Sequence, residues 1–250
     1  MSTQTQRTVV VTGAARGLGL EWVKQLSQDP QNFIIAVVRD PETVTALKPL
    51  LGPKVVVVKG DISDLDSFSG VAEAIAKAGD GKVDVLINNA GVMTGAGASF
   101  EVGISKSTPQ EWEDQFKVNV TGQVFITIAL LPLLEKSKEK KVVNISSMLG
   151  DLGFSETHPD YNFASYSVTK AGITMATLKF HLEFKDKGFI FLALNPGWVN
   201  TDLAGEGAGA YAPLQPEESI SKCLSFINRS TPADSGKFWT LDGRLEAATQ

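Results

Sequence analysis

The stretch that decides the fold is Thr12-Gly13-Ala14-Ala15-Arg16-Gly17-Leu18-Gly19, near the N-terminus. It follows a valine-rich run at 8–12 and leads into apolar residues at helical spacing, namely Leu18, Trp22, Val23 and Leu26. β-Branched runs favour strands, and apolar residues three or four apart favour an amphipathic helix. The glycines allow a sharp turn between the two. We therefore expect the chain to open with a strand, a tight turn and a helix.

This strand–helix pattern repeats along the chain. Further apolar, β-branched runs occupy 33–38, 54–58, 83–87, 141–145 and 189–194, with a seventh at 238–241. They are continuously apolar rather than alternating, as strands covered on both faces require. A barrel would need about eight strand–helix units. The fold class is therefore predicted as α/β, a single-domain, doubly wound parallel sheet of the Rossmann type with helices on both faces.

Length and composition favour one domain over residues 1–250. A chain of this length with 43% hydrophobic residues can bury about 70% of its unfolded surface in one core. Local runs of Gly, Ala, Ser or Pro predict mobile loops at about 95–107 and 204–216, and the ends 1–6 and 245–250 are expected to be flexible. The net charge is −5 and the basic residues are scattered, so nucleic acid is not an expected partner.

Other partners and compartments are also constrained. The longest nearly apolar stretch, 124–134, falls short of the roughly 20 residues of a membrane span, so no membrane association is expected. No secretory signal is recognised, and the one cysteine, Cys223, allows no internal disulfide, which favours the cytoplasm. Two histidines and one cysteine cannot build a zinc cluster, so no metal site is expected.

The glycine turn is a candidate phosphate site. Gly13, Gly17 and Gly19 would let the backbone approach a pyrophosphate, and the helix that follows would present free N–H groups and its positive dipole end. The stretch can also be only a turn between strand and helix. After the third strand, Asp61 either contacts an adenine or caps a helix beginning near Asp64.

The end of the second strand bears on which dinucleotide would bind. An acidic residue at this tip would hold a ribose 2′-hydroxyl, but Val38 occupies it. Arg39 and Arg16 could instead bind a 2′-phosphate, which favours NADP(H) over NAD. In the alternative, Arg39 is a solvated surface residue and Asp40 takes the ribose.

Tyr166 and Lys170 are candidates for the chemistry. Four residues apart on a predicted helix, they share one face. A nearby ammonium stabilises phenolate and lowers the pKa of a phenol toward the neutral range. Ser146 and Ser147 end the fifth strand, at the edge where doubly wound sheets bind ligands. A serine there could hold a carbonyl oxygen beside the tyrosine.

Taken together, the motifs resemble those of the short-chain dehydrogenase/reductase family in its compact form. The glycine turn, Asn88-Asn89-Ala90-Gly91, Asn119, the serine, Tyr-x-x-x-Lys and Asn195-Pro196-Gly197 follow in the family's order. The resemblance runs from Thr8 to about Gly243. It implies one dinucleotide-binding and catalytic domain and an NAD(P)-dependent oxidoreductase acting on CH–OH or C=O groups.

The resemblance also implies roles for single residues. Tyr166 would be the general acid that protonates a carbonyl oxygen, and Lys170 would bind the nicotinamide ribose and lower the pKa of Tyr166. Ser147, preferred over Ser146 by the family's signature, would hold the substrate oxygen. Asn119 would keep a water beside Lys170 for a proton relay, and its alternative role is a helix-interior residue bonded to backbone.

A larger set of residues would line the cofactor. The implied cofactor-binding residues are Gly13, Arg16, Gly17, Leu18, Gly19, Arg39, Asp61, Ile62, Asn89, Ala90, Gly91, Tyr166, Lys170, Pro196, Gly197, Val199 and Thr201. Trp198, within the last segment, either borders the substrate or merely packs, and packing is favoured because buried tryptophans are common.

One departure from the family's spacing concerns the substrate pocket. Ser147 and Tyr166 are nineteen residues apart, further than in the compact form, which indicates an insertion within 148–163 carrying Phe154, His158 and Tyr161. This loop is expected to shape the pocket. The loop, the Arg-Asp-Pro-Glu after strand two and the Gly-Lys-Phe-Trp-Thr-Leu-Asp-Gly near the end resemble NADPH-dependent carbonyl reductases similar to the sniffer and C-factor proteins.

The expected function is therefore NADPH-dependent reduction of a small or medium apolar ketone or aldehyde. The alternatives are a biosynthetic reductase or dehydrogenase for one specific metabolite, and a non-catalytic NADP-binding regulatory protein. The resemblance also implies a homodimer or homotetramer in which helices near 112–134 and 166–185 pair across a two-fold axis. Thr121, Ile126, Thr174 and Leu178 could lie in that seam, or the apolar face could be ordinary core.

Overall fold

Seven parallel strands form one sheet in the order β3-β2-β1-β4-β5-β6-β7. The protein is represented by a computed structural model that describes residues 6–203, 205 and 208–245. The strands are β1 (Arg7–Thr12), β2 (Asn32–Val38), β3 (Val55–Lys59), β4 (Val85–Asn88), β5 (Lys141–Ile145), β6 (Ile190–Asn195) and β7 (Phe238–Thr240). Each predicted strand is found within two residues of its predicted bounds, and the predicted fold class is confirmed.

The described part of the chain contains seven α-helices, and five of them cover the two faces of this sheet. The seven are α1 (Gly17–Leu26), α2 (Phe68–Ala78), α3 (Pro109–Phe116), α4 (Gln123–Leu134), α5 (Leu152–Thr157), α6 (Ala164–Phe184) and α7 (Pro216–Arg229). Residues of α1 and α7 pack on one face, and residues of α2, α4 and α6 pack on the other. Alternate strand residues face opposite cores: Val9 and Val11 belong to the first, and Val10 to the second.

The topology determines where a ligand can bind. β1 pairs with β2 on one side and with β4 on the other, so the strand order reverses at β1. In open parallel sheets, ligands bind at such a reversal, in the crevice beyond the carboxyl ends of the strands. The glycine turn and the motifs that end β4, β5 and β6 all lie at this edge.

The helices α3 and α4 are joined by a π-helical segment, Lys117–Gly122. The resulting helix, Pro109–Leu134, is long and apolar enough to cross a membrane by length and composition alone. Such a helix is weak evidence for a membrane span, because core helices pass the same test. Here the side chains of Ile126, Leu130 and Leu134 are fully buried against the sheet.

Several predicted loops contain short helices. Two 3-10 turns, Gly95–Ala98 and Ile104–Lys106, lie within 95–107, and α5 lies within the 148–163 insertion. Of the loop at 204–216, residues 204, 206 and 207 lie outside the described residues. So do 1–5 and 246–250 of the predicted flexible ends, whereas Leu245 forms an antiparallel bridge with Trp239.

Candidate active site

One cleft of about 1220 Å³ extends along the carboxyl ends of the strands. Ligand pockets usually enclose about 300–1,000 Å³, so this cleft has room for more than one ligand. All predicted cofactor-binding residues line it, as does Ser147; they are Gly13, Arg16, Gly17, Leu18, Gly19, Arg39, Asp61, Ile62, Asn89, Ala90, Gly91, Tyr166, Lys170, Pro196, Gly197, Val199 and Thr201. Asn119 lies behind the cleft wall and is fully buried.

The turn after β1 requires glycine at two positions. Gly13 has φ +65°, and a Cβ there would lie 2.8 Å from the Cα of Ala90. A Cβ on Gly19 would overlap the carbonyl oxygen of Gly13 and lie 2.8 Å from the Nδ2 of Asn89. The first turn of α1 therefore packs directly on the ends of β1 and β4. This places the unpaired N–H groups of the helix N-terminus at the cleft, where they suit a phosphate.

Thr12 and Asn89 fasten the glycine turn to β4. The Oγ1 of Thr12 accepts hydrogen bonds from the N–H groups of Asn89 (3.0 Å) and Ala90 (3.1 Å). The amide of Asn89 donates in return to the carbonyl oxygen of Thr12 at 3.0 Å. Asn89 thus shapes this end of the cleft as well as lining it. The glycine motif does not include Thr12. The position of Thr12 directly before the first glycine could have identified it.

The arginines at this end of the cleft suit a phosphorylated ribose. Arg16 and Arg39 line the cleft and are exposed, and neither forms an ion pair with an acid of the described residues. Asp40 is absent from the described cleft lining, and its Oδ1 instead accepts the N–H of Glu42 at 3.0 Å. The alternative in which Asp40 holds the ribose is therefore disfavoured. The residues present fit NADP(H).

Asp61 forms a local turn after β3. Its Oδ1 accepts hydrogen bonds from the N–H (2.9 Å) and the hydroxyl (2.8 Å) of Ser63. The next α-helix begins only at Phe68, so the interpretation of Asp61 as a helix cap is wrong. Because Asp61 lines the cleft, the adenine contact stays the prediction for it, and Ile62, which also lines the cleft, stays a predicted cofactor-binding residue.

The segment after β6 approaches the glycine turn. A Cβ on Gly17 would lie 3.8 Å from the side chain of Thr201. The hydroxyl of Ser219 donates to the carbonyl oxygen of Pro196 at 2.7 Å, which anchors the segment to α7. Residues 196–201 therefore line the cleft next to the glycine turn.

Tyr166 and Lys170 lie one helical turn apart on α6, and both are buried. The Nζ of Lys170 lies 5.3 Å from the centroid of the Tyr166 ring and donates to the carbonyl oxygen of Ile145 at 2.8 Å. Burial raises the pKa of Tyr166 above its ordinary value and lowers the pKa of Lys170 to about 8. The expected lowering of the Tyr166 pKa by Lys170 is therefore not found in the chain alone, because loss of hydration dominates for both groups.

The two serines that end β5 have different environments. Ser146 is buried, and its hydroxyl donates to the carbonyl oxygen of Lys170 at 3.0 Å and lies 2.7 Å from the hydroxyl of Thr174. Ser147 is half-buried, and its Oγ only accepts the N–H of Leu149 at 3.2 Å, so its proton stays available. This difference favours Ser147 as the residue that holds a substrate oxygen.

Asn119 lies in the π-helical segment beside α6. Its amide donates to the carbonyl oxygen of Val92 (2.8 Å) and to the Oγ1 of Thr169 (3.0 Å), and its Oδ1 accepts the N–H of Val92 (2.8 Å). The side chain therefore clamps the segment after β4 to α6, which matches the alternative of a polar residue bonded to backbone. A water relay through Asn119 stays a prediction.

The sequence motifs do not reveal a buried network that supports the site. The Ser165 hydroxyl donates to the Oε1 of Glu111 at 2.6 Å, and the N–H of Gly97 donates to the same oxygen at 3.0 Å. The Gln115 amide donates to the Ser165 Oγ at 2.7 Å. The network joins the loop at 95–107 to the residue directly before Tyr166. One part of this network is recognisable in the sequence. It is the capping box of Thr108 and Glu111, at which α3 begins.

The insertion is fastened to the site at both ends. A Cβ on Gly150 would lie 2.6 Å from the carbonyl carbon of Lys170, so the turn Met148–Gly150 packs directly on α6. At the other end Phe163 has a left-handed backbone, with φ 34° and ψ 39°, and donates its N–H to the carbonyl oxygen of Ser99 at 3.1 Å. A left-handed phenylalanine is strained, and such strain concentrates at functional sites.

The interpretation of Trp198 as a packing residue is wrong. Its side chain is 38% exposed, lines the cleft, and has its ring centroid 6.3 Å from that of Phe100. Phe100, which no motif identifies, lines the same part of the cleft together with Phe154, His158, Tyr161 and Phe163. The insertion therefore contributes Phe154, His158 and Tyr161 to the lining of the cleft, as predicted.

Comparisons with known proteins agree with this geometry. The family model described as short chain dehydrogenase matches residues 7–210. An oxidoreductase of Schizosaccharomyces pombe is 32% identical over 97% of this chain and 98% of that protein. The short chain dehydrogenase virK of Hypocrea virens is 32% identical over 84% of this chain and 77% of that protein.

Solved structures give the same result. The NADPH-bound carbonyl reductase from chicken fatty liver superposes with a TM-score of 0.87 at 28% identity, covering 97% of this chain and 99% of that chain. The carbonyl reductase Sniffer of D. melanogaster superposes with a TM-score of 0.86 at 26% identity and the same coverage. The family match, the full-length relatives and the cleft together identify the chain as a member of the short-chain dehydrogenase/reductase family of NAD(P)-dependent oxidoreductases.

Proposed function

We propose that this enzyme is an NADPH-dependent carbonyl reductase that acts on small or medium apolar ketones and aldehydes, with Tyr166 as general acid. The observation that carries the proposal is the Tyr166 side chain. It is only 5% exposed, it lines the cleft, and its hydroxyl makes no hydrogen bond to the described residues. A buried phenol left without a protein partner is available to a substrate oxygen.

NADP(H) fits the polar end of the cleft. Gly13, Gly17 and Gly19 would hold the pyrophosphate, and Arg16 and Arg39 would pair with the 2′-phosphate. Lys170 would donate to the nicotinamide ribose. When bound, NADPH supplies the hydride for the carbonyl carbon. The NADPH bound in the chicken carbonyl reductase structure supports this choice of cofactor.

The chain's own residues handle the substrate oxygen and its proton. Burial raises the pKa of Tyr166, so the phenol is protonated at neutral pH and can act as an acid. It would donate its proton to the carbonyl oxygen as negative charge develops there. Ser147 would donate a second hydrogen bond to the same oxygen and hold it in place. The positive charge of Lys170 would stabilise the phenolate that remains.

The test uses purified enzyme and NADPH oxidation over a panel of ketones and aldehydes. Tyr166→Phe should lower kcat/KM by about 10²- to 10⁴-fold, the usual contribution of a general acid. Tyr161→Phe is the matched control, because Tyr161 lines the same cleft but has Ser165, not a lysine, four residues later. Full turnover in Tyr166→Phe would show that the proposed acid is wrong. Tight NADPH binding without turnover of any carbonyl would favour a regulatory protein.

We also propose that the enzyme assembles as a homodimer or homotetramer through α4 and α6. These helices expose five large apolar side chains, and exposed apolar patches mark interaction surfaces. They are Phe125, Ile128, Val168, Met175 and Leu182. Ile126, predicted as a seam residue, is fully buried and belongs to the core.

We also propose a cytoplasmic location. Cys223 is a free, buried thiol, and burial raises its pKa to about 12, so it stays protonated and unreactive. Such a residue is compatible with a reducing compartment. Fractionation of cells that express the tagged protein tests this placement, and recovery in a membrane pellet would contradict it.

A further inference from the structure

We propose that Glu111 is a positioning residue for the reaction. Through Ser165, its buried carboxylate holds the first turn of α6 and thereby the hydroxyl of Tyr166. This inference rests on the proposed carbonyl reductase function and adds to it a residue outside the cleft. In the part of the chain that the structure describes, neither Glu111 nor Ser165 lines the cleft. Their effect on the chemistry must therefore pass through Tyr166.

The first turn of α6 lacks a side-chain cap. The helix begins at Ala164, so Tyr166 is its third residue. Phe163, which precedes the helix, has a left-handed backbone and forms no side-chain cap hydrogen bond. Helix ends without a cap leave their first N–H groups unpaired and open most easily. A general acid in this turn needs another source of rigidity, because a shift of about 1 Å can cost roughly 100-fold in rate.

Ser165 supplies this rigidity through its side chain. It is fully buried, and its hydroxyl donates to the Oε1 of Glu111 at 2.6 Å. Its oxygen accepts a hydrogen bond from the amide of Gln115 at 2.7 Å. A hydrogen bond to a carboxylate is shorter and about twice as strong as one between neutral groups. Glu111 and Gln115 both lie on α3, so two bonds hold the residue directly before Tyr166 against a second helix.

The same carboxylate holds the loop at 95–107. The N–H of Gly97 donates to the Oε1 of Glu111 at 3.0 Å. A Cβ on Gly97 would lie 2.4 Å from the Oγ of Ser165, so this approach requires glycine. Ala98, the next residue, lines the cleft. One buried carboxylate therefore anchors both a segment of the cleft lining and the turn that carries Tyr166.

One atom of this network is held at a cost in stability. The Oε1 of Gln115 is buried and accepts no hydrogen bond from the described residues. A buried acceptor without a partner costs free energy, and its presence in a native structure needs a reason. The amide of Gln115 fixes the orientation of the Ser165 hydroxyl toward Glu111, which provides that reason.

Lys170 is held independently of this network. Its Nζ donates to the carbonyl oxygen of Ile145 at 2.8 Å, at the end of β5. Loss of the bond between Glu111 and Ser165 should therefore displace Tyr166 and leave the lysine in place. A positioning role predicts a lower kcat with unchanged NADPH binding.

The test measures reduction of the carbonyl that the wild type turns over fastest, together with Kd for NADPH from fluorescence titration. Ser165→Ala should lower kcat about 10- to 100-fold and leave this Kd unchanged. Glu111→Gln keeps a neutral acceptor for Ser165, so it should retain more activity than Glu111→Ala. Adding Glu111→Ala to Ser165→Ala should cause no further loss of kcat, because the two residues act through one bond.

Ser137→Ala is the matched control. The Ser137 hydroxyl is also buried and also donates to a carboxylate at 2.6 Å, in this case the Oδ1 of Asp84. Asp84 directly precedes β4, at the amino end of the sheet and away from the cleft. Ser137→Ala should lower the melting temperature, as Ser165→Ala does, but leave kcat unchanged.

The outcomes separate this inference from the proposed function. Wild-type kcat in Ser165→Ala, or a loss no larger than in Ser137→Ala, would overturn the positioning role and leave the reductase intact. If Ser165→Ala does not fold, the order of kcat among wild type, Glu111→Gln and Glu111→Ala decides, and equal values would overturn the role. If no carbonyl is reduced by the wild type, the proposed function fails. Hydrogen exchange then decides on the tether, and amides 164–168 that exchange no faster in Ser165→Ala than in Ser137→Ala would refute it.

Discussion

The Lys170 ammonium lies 5.3 Å from the centroid of the Tyr166 ring and shares its burial on α6. Burial disfavours the ionised form of both groups, so it raises the pKa of Tyr166 and lowers the pKa of Lys170. For Tyr166 this effect keeps the phenol protonated. For Lys170 it opposes the charge that a cofactor ribose and a phenolate would require. The buried ammonium therefore lowers the stability of the cofactor-free protein.

Replacing Lys170 should stabilise the cofactor-free enzyme. Burial lowers the folded-state pKa of Lys170 from 10.5 to about 8, so the ammonium destabilises the fold below pH 8, and this effect disappears as the pH rises to 10.5. Lys170→Met should raise the free energy of unfolding at pH 7 by about 1–3 kcal/mol and abolish turnover. The difference from wild type should shrink between pH 8 and 10.5 in urea titrations.

Lys179 provides the control for this pH experiment, because it is an exposed lysine on the same helix. Lys179→Met should leave the stability curve and the turnover unchanged. If the Lys170→Met protein is less stable than wild type at every pH, the hydrogen bond that Lys170 donates to Ile145 outweighs the desolvation of its ammonium.

Arg39 should control the choice of cofactor. Charge-assisted hydrogen bonds contribute about 1.5–3 kcal/mol, so Arg39→Ala should raise the KM for NADPH about 10- to 100-fold and change that for NADH little. Asp40→Asn is the control, because the Asp40 carboxylate bonds the N–H of Glu42. Steady-state kinetics with both cofactors measure the effect. An equal loss with NADPH and NADH would contradict a 2′-phosphate contact.

Gly19→Ala should damage both the fold and the cofactor site. The added Cβ would overlap the Gly13 carbonyl and press on the Asn89 amide, so the glycine turn must open. We expect a loss of about 1–3 kcal/mol of stability, typical of overpacking, and at least tenfold weaker NADPH binding. Gly70→Ala, in an open position on α2, should instead stabilise the protein by about 0.5–1 kcal/mol. Calorimetry measures both quantities, and unchanged binding in Gly19→Ala would refute this account of the turn.

A charge on the outer face of α6 should break the proposed oligomer. Met175 is 55% exposed there, and Met175→Glu would bury an unpaired carboxylate in an α4–α6 interface. Sedimentation velocity should then show monomers where wild type shows dimers or tetramers. Leu152→Glu is the matched control, because Leu152 is 81% exposed but lies on α5. A monomeric wild-type enzyme would contradict the proposed assembly.

The elements of the fold were accessible from sequence because each depends on local pattern. Strands covered on both faces must be continuously apolar, and glycines must stand where a backbone has no room for a side chain, as at Gly13 and Gly19. The strand-end motifs were then placed together by the topology alone, since carboxyl ends of parallel strands share one edge of the sheet.

The parts that were not accessible depend on contacts between distant loops. Phe100 carries no motif, and its place in the pocket follows from its contacts with Tyr161 and Phe163, some sixty residues away. The buried bond between Glu111 and Ser165 is likewise long-range. The direction of the Tyr166 pKa shift also depends on burial, which residue spacing does not give.

The attachment of the insertion at Gly150 and at Phe163 has a consequence for how such enzymes diversify. Gly150 packs on the backbone of Lys170, and Phe163 directly precedes α6, whereas the stretch between them carries Phe154, His158 and Tyr161 at the pocket. Residues 151–162 therefore behave as a replaceable cassette. Exchanging this cassette between relatives would transfer ligand preference without moving Tyr166 or Lys170.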